Sequence, residues 1–286
     1  MAEFRSLADL ANTTQDELLV GIIDVLKKND EWSAALIGNA VVTDRPSIKG
    51  NRLADAGGAD YIDCNTTITS EAISASPFTY DLQTILRQFD VCVTGQNLYS
   101  SFTDVVGSEL NGALKAISEK IAEDAMIGNG TTAIAGLSNE VTNAFGTAGA
   151  SLDVGDLDRL YDEVLSRENL VYVGAPAAIR AALAEIRSEA GGLDYGTLAG
   201  TELRVPQYLG IPMVRTQFAP DDKIYLVDMN QFRLFVGESV DANIGGVFSL
   251  VDVGVVQNKH ARRWRVYGQF ASVLLDTQGA AELDIA

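Results

Sequence analysis

Residues 125–137 read AMIGNGTTAIAGL, and glycines beside an asparagine and two threonines are residue types from which a phosphate cradle can be built. Such a cradle opens a helix, so that free N–H groups and the positive end of the helix dipole face the anion. Here the glycines follow a helical run. Carbonyls are then the exposed groups, and Gly128 falls where a left-handed residue would end the helix. The lysine of GxxxxGK[ST] is also missing, so the segment reads as a helix stop.

Other candidate chemistry is equally thin. There is no GxSxG, HExxH or CxxC, and a single histidine, His260, excludes a His-pair metal site and leaves little for a triad. It stands beside Lys259 and reads as a solvated or strand-capping residue. Cys64 and Cys92 read as buried structural thiols. Asp221 with Asp222, and Glu119 with Glu123, read as solvated faces. The run KHARRWR, 259–265, sets a tryptophan among cations, as a nucleic-acid strip would. Strand alternation sends Arg263 and Arg265 to one face and Trp264 to the other, so the arginines read as partners for carboxylates on a neighbouring element or subunit. The expected catalytic, cofactor-binding and metal-binding residues are none.

The chain is 286 residues long and 47% hydrophobic, enough for a sizeable core. With 39 acidic and 21 basic residues its formal charge is −18, a field that repels nucleic acid and acidic membranes. Sequence-specific nucleic-acid binding is not expected, although an acidic protein can tolerate DNA nearby. No apolar run reaches membrane-spanning length, and Glu3 and Asp9 occupy the start where a secretory signal needs basic and apolar residues.

Periodicity outlines the elements that would carry any function. Residues 14–29 read as an amphipathic helix, 30–60 lose helical periodicity and read as extended or looped, and 61–80 read as a polar strand, with Ile62, Cys64, Thr66 and Ile68 alternating, suited to a projecting hairpin. The longest helical signal is 101–127, with Val106, Leu110, Leu114, Ile117, Ile121 and Ala125 on one stripe. Gly107 and Gly112 inside it either permit bending or allow close packing against a sheet. Helices at 156–166 and 176–192 flank a buried strand at 170–175. A glycine-rich loop and the strands IPMVRTQF and KIYLVDMNQFRLFVGES follow, then strands at 247–256 and 261–275. The fold class is α+β. A projecting hairpin and long amphipathic elements without internal partners imply assembly through large interfaces.

This order of parts resembles the tailed-bacteriophage major capsid protein family with the HK97-type fold. The resemblance rests on the helix-ending IGNGT and IAGL of 127–137 and on the passage from IPMVR to QNKHARRWRVYGQFASVLL. It implies an N-terminal arm at 1–48, an E-loop hairpin at 49–85 and a peripheral domain with its spine helix at 86–133. An axial domain at 134–245 and peripheral-domain return strands with the C-terminus at 246–286 would complete the chain. The implied function is a non-enzymatic shell subunit, assembling into pentamers and hexamers that enclose phage double-stranded DNA without sequence-specific contacts. The implied location is the virion, after assembly in the bacterial host cytoplasm. Portal, separate scaffolding and decoration proteins are implied partners, and no membrane is. Because the chain begins almost directly with the arm, no scaffold-like leader is expected. Lys49 is the lone lysine near the hairpin, without a matching asparagine and glutamate, so no covalent crosslink is expected. The same fold also serves encapsulin nanocompartments. A reading of another class, a small-molecule enzyme, rests on the α+β middle region alone.

Overall fold

The structure is a computed structural model that describes residues 30–55, 74–93, 105–146, 152–190, 192–198, 203–238, 248–257 and 259–285. In chain order its elements begin with helix α1 (Glu31–Gly38) and strands β1 (Val41–Thr43), β2 (Ser47–Asp55), β3 (Ser74–Asp81) and β4 (Gln83–Cys92). Helices α2 (Val105–Ile127) and α3 (Leu137–Glu140), strand β5 (Ala144–Gly146), helix α4 (Val154–Glu163), strand β6 (Leu170–Gly174) and helix α5 (Pro176–Ala190) follow. Strands β7 (Asp194–Thr197), β8 (Arg204–Tyr208), β9 (Ile211–Arg215), β10 (Lys223–Asp228), β11 (Phe232–Gly237), β12 (Phe248–Val255) and β13 (Ala261–Leu274) lead to a 3-10 turn and β14 (Ala280–Asp284). The expected helix at 14–29 lies outside the described residues, as does the expected strand at 61–80 as far as residue 73; its remainder falls in β3.

Helix α2 forms because its apolar residues recur every three or four positions. Val106, Leu114, Ile117, Ile121 and Ala125 are all buried, and the helix packs against β4 and β13. Its 23 residues make a rod of about 35 Å. Gly107 and Gly112 leave it uninterrupted. A Cβ at Gly112 would meet nothing within 4 Å, so close packing does not account for that glycine. Gly112→Ala is therefore expected to stabilise the subunit by about 0.5–1 kcal/mol, seen as a higher urea midpoint.

The fourteen residues of β13 organise a five-stranded sheet. Strand β4 runs antiparallel along one edge, from Ala261 opposite Cys92 to Phe270 opposite Gln83. On the other edge β12 pairs with the first half of β13 and β11 with the second, and β1 lies parallel outside β11. A seven-stranded sheet runs β5-β14-β10-β6-β9-β8-β7. All five residues of β6, LVYVG, are buried, as an unbroken apolar run in a covered strand requires. Strands β2 and β3 form a separate antiparallel pair.

The strands divide between sheets differently from the expected segments. Strand β11 leaves β10 through the turn at Met229–Gln231 and joins the five-stranded sheet, where Phe232, Leu234 and Val236 alternate inward. Strand β14, beyond the expected strand at 261–275, enters the seven-stranded sheet between β5 and β10 and buries Ala280, Ala281 and Leu283. The described chain thus passes between the two sheets three times, from β4 to β5, from β10 to β11 and from β13 to β14, and one hydrophobic core serves both.

Two further expectations are corrected. Residues 30–60 are not simply extended or looped, because EWSAALIG is helix α1, capped by Asp30, whose carboxylate accepts the Ser33 N–H at 3.3 Å. It contacts α2, β9 and β11 where the sheets meet, and Trp32 stacks on Phe232 at 5.9 Å. The glycine-rich loop after α5 contains the paired strands β7 and β8, and Gly196 leaves room for the Gln207 side chain opposite.

Candidate assembly surfaces

The loop after α2 is built from acceptors. The Gly128 N–H donates to the Asp124 carbonyl at 2.7 Å, and the Gly136 N–H returns to the Gly128 carbonyl at 2.8 Å. The Asn139 amide caps the Gly128 and Ile127 carbonyls at 2.7 and 3.2 Å. The Ser272 hydroxyl of β13 donates to the Ala135 carbonyl. A helix end presenting carbonyls does not attract an anion, so this is a helix stop. The left-handed residue is Gly130, with φ 69°, rather than Gly128 as expected. Gly128 is required for another reason: a Cβ there would collide with the carbonyl oxygens of Ile134 and Asp124.

The arginines of the basic cluster find partners within the chain. On β13, Trp264, Val266 and Phe270 are buried, while Arg263 and Arg265 point to the opposite face. Arg263 makes a two-pronged contact with Asp90 of β4 at 2.7 and 2.8 Å, which holds the Asp90 carboxyl below its ordinary range. Arg262 pairs with Asp252 and lies 5.6 Å from the Trp264 ring, and Arg265 bonds the Gln88 amide at 3.0 Å. Glu119 and Glu123 pair with Lys115 and Lys120 along α2, and Asp221 and Asp222 are exposed. Cys92 is exposed, not buried as expected, because alternation along β4 turns Phe89 and Val91 inward instead. Cys64 lies outside the described residues. Among the described residues no group of three or more His, Cys, Asp and Glu could hold a metal ion, and no helix is long and apolar enough to cross a membrane.

Among the described residues, exposed apolar surface lies elsewhere. The five-stranded sheet has α2 on one face and turns Leu86, Val251, Arg265 and Tyr267 to the other. Strand β12 is an end strand of that sheet and exposes Val251, Val253 and Val255, the last to 75%. A register shift at Asp252/Gly254, with Gly254 at φ 97°, twists this edge. Such apolar edges are covered by a partner or invite uncontrolled pairing. Leu209, at the tip between β8 and β9, is 61% exposed and stands at φ 51°, a strained position for a leucine.

The root of the β2–β3 hairpin is fastened by one arginine. Arg52 Nη2 donates to Tyr80 Oη at 2.8 Å, to Glu140 Oε2 at 3.1 Å and to the Leu274 carbonyl. Tyr80 also donates to Glu140, and burial together with that bond pushes the phenol up to about 12, so it remains a donor at neutral pH. The guanidinium lies 5.0 Å from the Phe78 ring, which fills the place a Cβ on Gly50 would need. Hairpin, α3 and the end of β13 are joined here. Lys49, on β2 opposite Thr79, is exposed.

A second charged junction seats α1 on β9. Glu31 receives the Arg215 N–H at 2.8 Å and its guanidinium at 2.6 Å. Burial raises the neighbouring Asp30 carboxyl from 3.8 to about 6, against hydrogen bonds from Thr216 and Ser33 that lower it. Because the folded value is raised, the stability this group adds is complete below about pH 4 and lost as pH rises through about 6. Asp30→Asn keeps the cap and removes the buried charge. Its expected gain is about 2 kcal/mol at about pH 7.5 and close to none at about pH 4, read by comparing thermal midpoints with the parent at both.

No protein-family model and no curated protein matches the chain. Solved structures do. The holo-SrpI encapsulin complex from Synechococcus elongatus PCC 7942 superposes with a TM-score of 0.69 at 21% identity, covering 86% of this chain and 84% of that one. The cyanophage A-1(L) capsid gives 0.67 at 14% identity, covering 88% and 91%. The chain has the HK97-type capsid fold. The capsid of a native GTA particle agrees, with 0.66 at 15% identity over 86% and 87%. Among the described residues the sheet face turned away from α2 and the β12 edge carry exposed apolar side chains. Strand alternation predicts the arginine faces, but the Arg52 contacts join residues 88 and 222 positions apart and leave no local signal.

Proposed function

We propose that this chain is the major subunit of a closed protein shell, and specifically the capsid of a double-stranded DNA bacteriophage. The observation that carries the reading is length: chain and shell subunit coincide over 88% and 91% of their residues in the cyanophage comparison. Fold alone is weak warrant for chemistry, but a shell subunit works through its interfaces, and those belong to the fold. In this reading residues 1–48 are the arm and 49–85 the E-loop. The peripheral domain comprises 86–133 and the return strands of 246–286, with 134–245 the axial domain. Identical chains meet by rotation in pentamers and hexamers, and flexing of α2 at Gly107 and Gly112 accommodates both settings. The charge of −18 suits a lumen through which packaged DNA must slide. A scaffolding protein, a portal and a decoration protein complete the assembly, which forms in the host cytoplasm.

A second reading is favoured by the encapsulin comparison, with 21% identity: a nanocompartment holding protein cargo. The two are separated by recovering particles from the producing cells and analysing their contents. DNA protected from nuclease supports the capsid reading, and a packaged protein supports the compartment. Purified full-length chain that sediments only as monomer or small oligomer, with scaffold and portal supplied, would defeat both and reopen the small-molecule enzyme reading.

A further inference from the structure

Asn129 and Gly130 stand together in an exposed turn at the end of α2. The Asn129 side chain folds back over its own main chain, and its Oδ1 accepts three backbone N–H groups, from Thr131 at 3.0 Å, Thr132 at 3.0 Å and Ala133 at 3.3 Å. Its Nδ2 donates to Thr132 Oγ1 at 3.0 Å. Three converging donors polarise the Cγ–Oδ1 bond and would stabilise negative charge on Oδ1, as an oxyanion hole does for an acyl group. The nucleophile belongs to the next residue. Gly130 has no Cβ to shield its backbone nitrogen and stands in the left-handed conformation, φ 69°.

We propose that Asn129 is a self-deamidation site. The Gly130 nitrogen attacks Asn129 Cγ and gives its proton to water. A new C–N bond forms, the oxyanion develops on Oδ1 within its three donors, and the Cγ–Nδ2 bond then breaks to release ammonia. Water opens the resulting succinimide at either carbonyl, leaving aspartate or isoaspartate at 129. One water is consumed and one ammonia released, with no change in oxidation state. The product matters to the fold. Aspartate adds a charge at the negative end of α2, and isoaspartate lengthens the main chain inside the Gly128–Gly136 closure.

The test incubates the full-length protein beside the free peptide AMIGNGTTAIAGL at mildly alkaline pH and follows each asparagine by peptide mapping and isoaspartate detection. Asn111, which also precedes a glycine but lies inside α2, is the internal control. Conversion at 129 about tenfold faster in the folded protein than in the peptide, with Asn111 intact, is the expected result. A folded-state rate equal to or below that of the peptide, or conversion of Asn111 first, overturns the proposal. Gly130→Ala, whose Cβ would meet its nearest neighbour at 3.6 Å, is expected to slow the reaction, and an unchanged rate would also overturn it.

Discussion

Gly128→Ala is expected to destabilise the subunit by about 3 kcal/mol or more, because the atoms its methyl would strike are backbone carbonyl oxygens that cannot swing aside. One belongs to Asp124 in the last turn of α2 and the other to Ile134 across the closure. Gly136→Ala should behave alike, since its Cβ would strike the Gly128 nitrogen and the Ile127 backbone. Gly130→Ala supplies the contrast. Its φ of 69° makes alanine uncomfortable, yet the nearest atom would be 3.6 Å away, so the expected cost is about 1 kcal/mol. Asparagine at 128 separates the two explanations further. It tolerates a left-handed cap but not a collision, so Gly128→Asn should be no better than alanine. Urea midpoints of the four variants decide it, and a mild Gly128→Ala beside a severe Gly130→Ala would overturn the collision account.

The second large effect concerns assembly. Arg52→Ala removes the cation from Glu140, a donor from the Leu274 carbonyl and the guanidinium beside Phe78 and Tyr80. The Arg52 and Glu140 side chains are 20% and 18% exposed, so the abandoned carboxylate stays largely out of water. The expected loss is about 2–4 kcal/mol, concentrated at the hairpin root. Arg52→Lys should not fully restore it, because an ammonium, though it carries three donors, lacks the flat guanidinium that lies beside the Phe78 and Tyr80 rings. If the hairpin must leave the body at a set angle to reach a neighbouring subunit, both variants should yield folded chains that fail to close shells. Circular dichroism with light scattering reads the two properties separately. Parent-like particle yield from Arg52→Ala would remove the root from the assembly account.

What could be read in the sequence follows from where each stabilising contact lies. Helix α2 was legible because one face is wet and the other buried, so its stripe repeats along the chain. The arginines of β13 were legible for the same reason, since alternation alone parts Arg263 from Trp264. Helix α1 was not, because Trp32, Ser33, Ala34, Ala35 and Leu36 are all buried and no polar face marks its period. Only Asp30, a capping residue, could have announced it. Strand β14 is a short segment made of alanines, Glu282, Leu283 and Asp284, and its place comes from β5 and β10 rather than from its own preference. The left-handed residue was placed at Gly128 because helix ends usually take one there, whereas backbone carbonyls folding over the closure decide the matter.

Many copies of a shell subunit must close on one another, and electron microscopy of the purified protein, with scaffold and portal supplied, shows whether they do. Hollow, closed polyhedral particles or the ring-shaped capsomers from which they are built are the expected result, and a field of uniform monomers or dimers at high concentration would rule out a shell subunit.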